Sequence, residues 1–395
     1  MKLLVTRVLL ALALIPMMSV WAQSPPKANK RPSLAIGAAF SPEGRLWVAG
    51  INAQGRLFVQ HTAFPGTPNW SEPKVLDTGD DEIAAEGESR PKIAFGPKGW
   101  TVITYTQPLP KPYTGHIRML RSDDGGRTFG RPFTVHDDRQ IITHRFESVA
   151  FDGQGRLVTV WVDKRDQVKA PGQPYAGAAI YRKISDDGGK TFEPDQKLAD
   201  HSCECCRIAL AQNAQGQLFG LWRHVFPQQI RDHAFAALTA PAPQLQRASF
   251  DEWRINACPH HGPGLAYAAA QPDRPEGFHM VWFGIRAGAP AVRYVRLSAQ
   301  GAPMEHTLRS IPDDAAEHAD VMSLGPTVAI VWRSFAAGAS TLHLWHSKDG
   351  GASFQHSLLG LSTGFNDHPR LAQSGSKMAV VWRNTHGIEV YDITP

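Results

Sequence analysis

The sequence is sparing with charge and with long apolar runs, and each scarcity removes a class of function. Asp, Glu, Lys and Arg make up 19% of the 395 residues, and no dense Lys/Arg tract occurs. The formal charge of +5 falls to +3 once Lys2 and Arg7 are set aside, too little and too scattered for a nucleic-acid surface. The basic pI of about 9.0 reflects few acids rather than a basic patch. Beyond the N-terminus no apolar stretch is long enough to cross a bilayer, so no membrane span is expected. No Cys-x-x-Cys-His stretch occurs, which excludes covalent c-type haem, and no nucleotide cofactor is expected. Cysteine is scarce too, with 4 in all. Three of them, Cys203, Cys205 and Cys206, crowd one short stretch, a poor layout for stapling distant segments. Neighbours such as Cys205 and Cys206 rarely bridge each other without strain.

The N-terminus sets the compartment. Lys2 and Arg7 are followed by the apolar run Val8–Ile15, and Val20-Trp21-Ala22 supplies small residues ahead of Gln23. This reads as a secretory signal peptide over residues 1–22, with a flexible leader over 23–32. No Cys follows the apolar run, so no lipid anchor is expected. The remainder, 33–395, reads as one domain, periplasmic or secreted and monomeric.

The 35 Gly, 30 Pro and 11 Trp indicate many turns and short strands. Apolar strands recur near Ala38, Ile93, Val149, Ile208, Leu265, Val321 and Leu371, at spacings of 50 to 59 residues. A second strand follows each turn and commonly ends in Trp, as in Val158–Trp161, Leu218–Trp222, His279–Trp282, Val328–Trp332 and Met378–Trp382. A four-stranded repeat of this period is the mark of a β-propeller blade, an all-β architecture in which neighbouring sheets bury one another's faces. The recurrent Trp is assigned to packing between blades. Seven repeats predict seven blades, with six as the alternative. The last repeat has room for three strands, and an N-terminal segment is expected to complete it.

Three copies of one turn follow the third strands: Ser122–Phe129 (SDDGGRTF), Ser185–Phe192 (SDDGGKTF) and Ser347–Phe354 (SKDGGASF). Asp124, Asp187 and Asp349 are placed to accept backbone N–H groups within the turn, and the glycines permit positive φ. This pattern resembles the Asp-box, or bacterial neuraminidase repeat, of the sialidase-like propeller superfamily. Degenerate copies are expected near Ala248–Trp253 and Ser298–Ala302. The resemblance implies a fold and not an activity.

In such a ring the first strand of each blade is innermost, and the loop entering it opens on the axis. Those loops read Glu86-Gly87-Glu88-Ser89-Arg90, His144-Arg145-Phe146-Glu147, Cys203-Glu204-Cys205-Cys206-Arg207, Cys258-Pro259-His260-His261, Glu317-His318-Ala319-Asp320 and Asn366-Asp367-His368-Pro369-Arg370. Thiolates and imidazoles suit copper or zinc. The expected metal ligands are Cys203, Cys205, Cys206, Cys258, His260 and His261, facing one shared centre, with His144, His318 and His368 as outer candidates. Disulfides joining blades four and five are the competing account.

The superfamily resemblance implies a second chemistry, exo-acting glycoside hydrolysis, with three arginines clamping a substrate carboxylate and a Tyr/Glu pair and an Asp doing the chemistry. Arg90, Arg145, Arg207 and Arg370 are the candidate clamp, and Glu147 and Asp163 the candidate carboxylates. The first blade lacks the Phe-Arg-Ile-Pro stretch of sialidases, and none of the 7 tyrosines falls in an inner-strand loop. A third reading is a scaffold that binds a glycan or a protein without chemistry. The expected ligand at the axis is thus a metal ion or a small glycan.

Overall fold

The computed structural model describes residues 32–169, 177–255, 257 and 259–395; the signal-peptide reading, and the leader reading up to residue 31, lie outside them. The described residues form seven antiparallel sheets, six of four strands and one of three, each with its strands in sequence order. The chain is a seven-bladed β-propeller. The innermost strands are Gly37–Phe40, Lys92–Phe95, His144–Phe151, Ala209–Gln212, Gly264–Ala268, Ala316–Leu324 and Arg370–Ser374. Every repeat anchor read from the sequence lies on one of them except Ile208, which precedes its strand by one residue.

The second strands explain why the sheets stack. Leu46–Ile51, Leu157–Asp163 and Leu218–Arg223 are buried at every position, so they lack the alternation of a half-exposed strand. Seven clusters of buried residues among the described chain each join two successive blades, for example Trp47 and Leu57 with Ile103 and Leu120, or Val328 and Trp332 with Tyr294 and Val281. Trp161, Trp222, Trp332 and Trp382 are among the largest fully buried side chains. Truncating such a residue costs about 3–5 kcal/mol. Their indole N–H groups follow a rule as well. Trp161, Trp282 and Trp332 donate to Asp163, Asp251 and Asp313, each at 2.7 Å, and Trp382 donates to the Asp367 carbonyl at 2.9 Å. Trp222 breaks the rule, its buried N–H having no partner.

The three SxDGGxxF turns join third to fourth strands and close on their own side chains. In the first, Thr128 N–H donates to Asp124 Oδ1 at 2.8 Å and Gly126 N–H donates to Ser122 Oγ at 2.9 Å. Gly125 and Gly126 take φ of 75° and 84°, which a side chain would oppose. Ser298 in the fifth blade keeps part of this turn, accepting the Ala302 N–H at 3.2 Å. The expected copy at Ala248–Trp253 is not such a turn. It follows the fourth strand Gln246–Arg247, and so links blades four and five. The sequence reading mistook its Ser-Phe-Asp string for a third-to-fourth-strand turn.

Among the described residues the last sheet keeps three strands, and no N-terminal strand joins it. The ring closes through side chains instead. Ile36, Phe40 and Val48 pack on Ala372, Ala379 and Val381, and Lys377 and Arg383 donate to the carbonyls of Phe64 and Ile51. Two inner strands bulge near the axis: pairing shifts register between Val160 and Val162 opposite Phe146, and between Glu317 and Asp320. Phe146 and His318 take left-handed φ of 55° and 52° there. Bulges of this kind re-aim a side chain that regular pleating would send elsewhere.

Candidate functional site

The inner strands of all seven blades surround an axial cavity of about 300 Å³, lined by Glu88, Arg90, Lys92, Arg207, Asp320 and Arg370 among others. Three of the four candidate arginines therefore converge as expected. Each already faces a buried carboxylate. Arg90 pairs with Asp367 at 2.8 Å, Arg207 with Glu88 at 3.0 Å, and Arg370 with Asp320 at 3.5 Å. Burial brings Arg370 down to about 10, in spite of Asp320. The fourth, Arg145, lies away from the cavity lining and pairs with the exposed Glu86 at 3.4 Å. Glu147 is fully buried and held by Thr106 Oγ1 at 3.0 Å and Lys92 Nζ at 3.3 Å. Asp163 accepts the Trp161 indole and pairs with Arg165, each at 2.7 Å, the same Trp-holding role that Asp251 and Asp313 play.

Glu88 is the hub of the axial polar groups. It takes the Arg207 backbone N–H on Oε2 at 3.1 Å and the Arg207 guanidinium on Oε1 at 3.0 Å. His318 and His368 point Nδ1 at the same Oε1, from 3.4 and 3.8 Å. Burial alone would raise the Glu88 carboxyl; Arg207, then His318 and His368, hold it well below the usual carboxylate range. The rings of His261, His318 and His368 form one stack, with centroids 4.3 and 3.3 Å apart. Burial, followed by the neighbouring His318, lowers His261 to about 3 and His368 well below its ordinary value. Glu88 stood in the sequence only as a loop residue; nothing local distinguishes it from Glu86 two positions earlier.

The sulfurs are elsewhere. Cys203, Cys205 and Cys206 are buried among Ile180, Ile208 and Trp222, in the packing between blades three and four. Their Sγ atoms are 3.6, 3.8 and 3.9 Å apart, far beyond an S–S bond of about 2.05 Å, so no two of the three are joined. The Cys206 thiol is pushed well above its ordinary value, chiefly by its hydrogen bond with Cys203 and then by burial, against the pull of Arg223. Arg223 is itself buried and donates to the carbonyls of Arg231, His261 and Phe283, with no carboxylate beside it among the described residues.

The single shared centre expected from the loops is thus corrected to two. The Cys loop turns its thiols into the blade interface and only Arg207 to the axis, while the next loop sends His261 to the axis. His260 is exposed, with left-handed φ of 54°, and belongs to neither group. Cys258 lies outside the described residues.

His144 joins a third group with His116 and His136, whose ligand atoms also fall within 4.8 Å of one another. His136 is engaged at both nitrogens: Nδ1 meets the Asp138 carbonyl at 2.5 Å and Nε2 accepts the Ile117 N–H at 3.2 Å. Its lone pair is in use, so the group reads as structural. His116 and His136 lie outside the inner loops, and no sequence signal marked them.

No family model matches the sequence, and no curated protein matches it. Solved structures match as folds. An ulvan lyase of polysaccharide lyase family PL25, bound to -[GlcA(1-4)Rha3S]-, is 12% identical with a TM-score of 0.58, over 91% of this chain and 93% of that one. The Penicillium chrysogenum α-L-arabinanase complexed with arabinobiose is 12% identical with a TM-score of 0.52, over 83% and 95%. The NanB sialidase of Streptococcus pneumoniae is 9% identical with a TM-score of 0.50, over 89% and 82%. This chain is similar in fold to glycoside hydrolases and a polysaccharide lyase. Among the described residues no helix is long and apolar enough to cross a membrane.

Proposed function

We propose that this chain is an exported metal-binding propeller in which Cys203, Cys205 and Cys206 hold a soft ion, copper(I) first and zinc(II) second. The observation that carries the reading is the size of the sulfur triangle. An ion with metal–sulfur bonds of about 2.3 Å needs sulfurs about 3.8 Å apart in a tetrahedral site and about 4.0 Å apart in a trigonal one. The three separations of 3.6–3.9 Å are close to both. Arg223 supports the same reading, because a buried guanidinium without a carboxylate is stable only beside compensating negative charge. Metal binding, which displaces the thiol protons, would supply it as thiolates, and the bound cation keeps three of them from repelling one another.

The test is metal analysis with a thiol count on protein purified from the compartment to which it is exported. Stoichiometric copper or zinc with reactive thiols appearing on chelation is expected. Intact disulfides throughout and no stoichiometric metal would sink the proposal.

A second reading, action on a small glycan in the axial cavity, draws on the structural neighbours, two of which carry oligosaccharides in their structures. It requires at least one of Arg90, Arg207 and Arg370 to exchange its carboxylate partner for the substrate's. Turnover of a fluorogenic sialoside, abolished in Arg207→Ala or Arg370→Ala, would establish it; no turnover across a panel of glycosides removes it.

A further inference from the structure

We infer that Glu88, His318 and His368 form a second metal site, distinct from the thiol triangle, that takes a borderline divalent cation such as Zn²⁺ at the end of the axial cavity. Glu88 and His368 come from the loops entering blades two and seven, and His318 from the bulge in the inner strand of blade six. Their ligand atoms lie within 4.8 Å of one another. With bonds of about 2.0–2.1 Å to nitrogen and oxygen, tetrahedral ligands stand about 3.3–3.4 Å apart. The observed 3.4 and 3.8 Å from Glu88 Oε1 to the two Nδ1 atoms need a contraction of at most about half an ångström, and the stacked His318 and His368 rings must tilt apart for both lone pairs to meet one ion.

The polar bookkeeping of the site is incomplete without an ion. Nδ1 of His318 and Nδ1 of His368 are both buried and both without a hydrogen-bond partner, although each aims at the same carboxylate oxygen. Buried imidazole nitrogens are rarely left so. A carboxylate offers about four lone-pair positions, and Arg207 occupies one on each oxygen of Glu88. One stays open on Oε1, on the side of the imidazoles.

The backbone is fitted closely around these ligands. A Cβ at Gly87 would lie 2.3 Å from His368 Cε1, and one at Gly262 would lie 2.4 Å from Glu88 Oε2. His318 reaches its position only through the bulge and its left-handed φ of 52°. Glu88 and Arg207 also line the cavity, so an ion on Glu88 stands at its boundary. Three protein ligands leave the fourth tetrahedral position to water or to an anion in the cavity. The pattern is that of an open site, whereas the sulfur triangle is enclosed in packing.

The test uses the full mature chain carrying Cys203→Ser, Cys205→Ser and Cys206→Ser, so that success or failure of the thiol reading cannot decide it. After stripping with a chelator, this protein is titrated with Zn²⁺ against a chromophoric competitor. One equivalent is expected, lost or weakened by about 10- to 100-fold on adding His318→Ala or His368→Gln, with X-ray absorption showing nitrogen and oxygen neighbours only. Unchanged zinc affinity in both histidine variants overturns the inference. If the serine background does not fold, crystals of the unaltered chain soaked in Zn²⁺ decide instead. Anomalous density between Glu88, His318 and His368 supports the site, and its absence there overturns it.

Discussion

Asp367 Oδ2 stands 3.0 Å from the Ile36 backbone nitrogen and 2.8 Å from Arg90 Nη1, so one buried carboxylate of blade seven holds both blade one and blade two. Burial raises the Asp367 carboxyl even so, with Arg90 pulling against it. The pair is therefore better described as a closure device than as a source of net stability, since desolvation offsets much of the attraction. Asp367→Ala, which strands Arg90, is expected to destabilise the ring by about 3–5 kcal/mol. The double variant Asp367→Leu with Arg90→Met should recover much of that loss. Denaturant melts of the three proteins check both expectations.

Metal at the thiol triangle should be visible in stability and in fluorescence. Binding to the folded chain alone contributes about 2.7 kcal/mol at a free-ion concentration of one hundred times Kd. Stripping the protein is expected to lower Tm, and restoring one equivalent of Cu(I) or Zn(II) to return it. Trp222 packs in the same cluster as the sulfurs, so its emission should change on loading. Trp222→Phe should abolish that change while the stoichiometry stays at one.

The SxDGGxxF turns predict an acid-sensitive component. Burial raises Asp187 and Asp349, but the several hydrogen bonds inside the turns together outweigh it and lower both to about 2 from an ordinary 3.8. A carboxyl depressed in the fold stabilises it fully above its unfolded value, and that contribution is lost as pH falls through the folded one. The window is therefore roughly pH 4 down to pH 2. Both groups are half-buried at the surface of their turns and screened by solvent, so the effect is modest. In Asp187→Asn with Asp349→Asn, the urea midpoint should fall less steeply across that window than in the parent.

Gly262→Ala tests the two proposed metal sites separately. Its Cβ would collide with Arg207 Cγ at 2.3 Å and with Glu88 Oε2 at 2.4 Å. Zinc affinity at the axial site is expected to fall by about 10- to 100-fold, as when a group supporting a ligand is displaced. Binding at the cysteines should persist, measured by the same competition titration with and without thiol blocking.

The ring was legible because its causes are local and repeated. A turn that closes on its own Asp and Ser side chains, complete in three blades, and a strand-two Trp that must be buried, present in six, leave the same marks at a regular period. The loops read from the sequence contain the axial residues Glu88, Arg90, Arg207, His261, His318, His368 and Arg370, among others that do not reach the axis. What they could not say is which way each side chain faces. Cys206 and Arg207 are adjacent, yet one turns into the blade interface and the other reaches the axis. His318 depends on a bulge that only pairing with the next strand defines. His116 and His136 meet His144 through sheet packing alone, with no spacing to mark them.

That adjacency has a mechanical meaning. A single peptide bond joins Cys206 to Arg207, the residue that holds the Glu88 carboxylate. The Arg207 backbone N–H and guanidinium both hold Glu88, so a displacement of the peptide after Cys206 meets that carboxylate through hydrogen bonds of 3.1 and 3.0 Å. Where ions fill both proposed sites, whatever factor filling one imposes on the affinity of the other must be returned in equal measure.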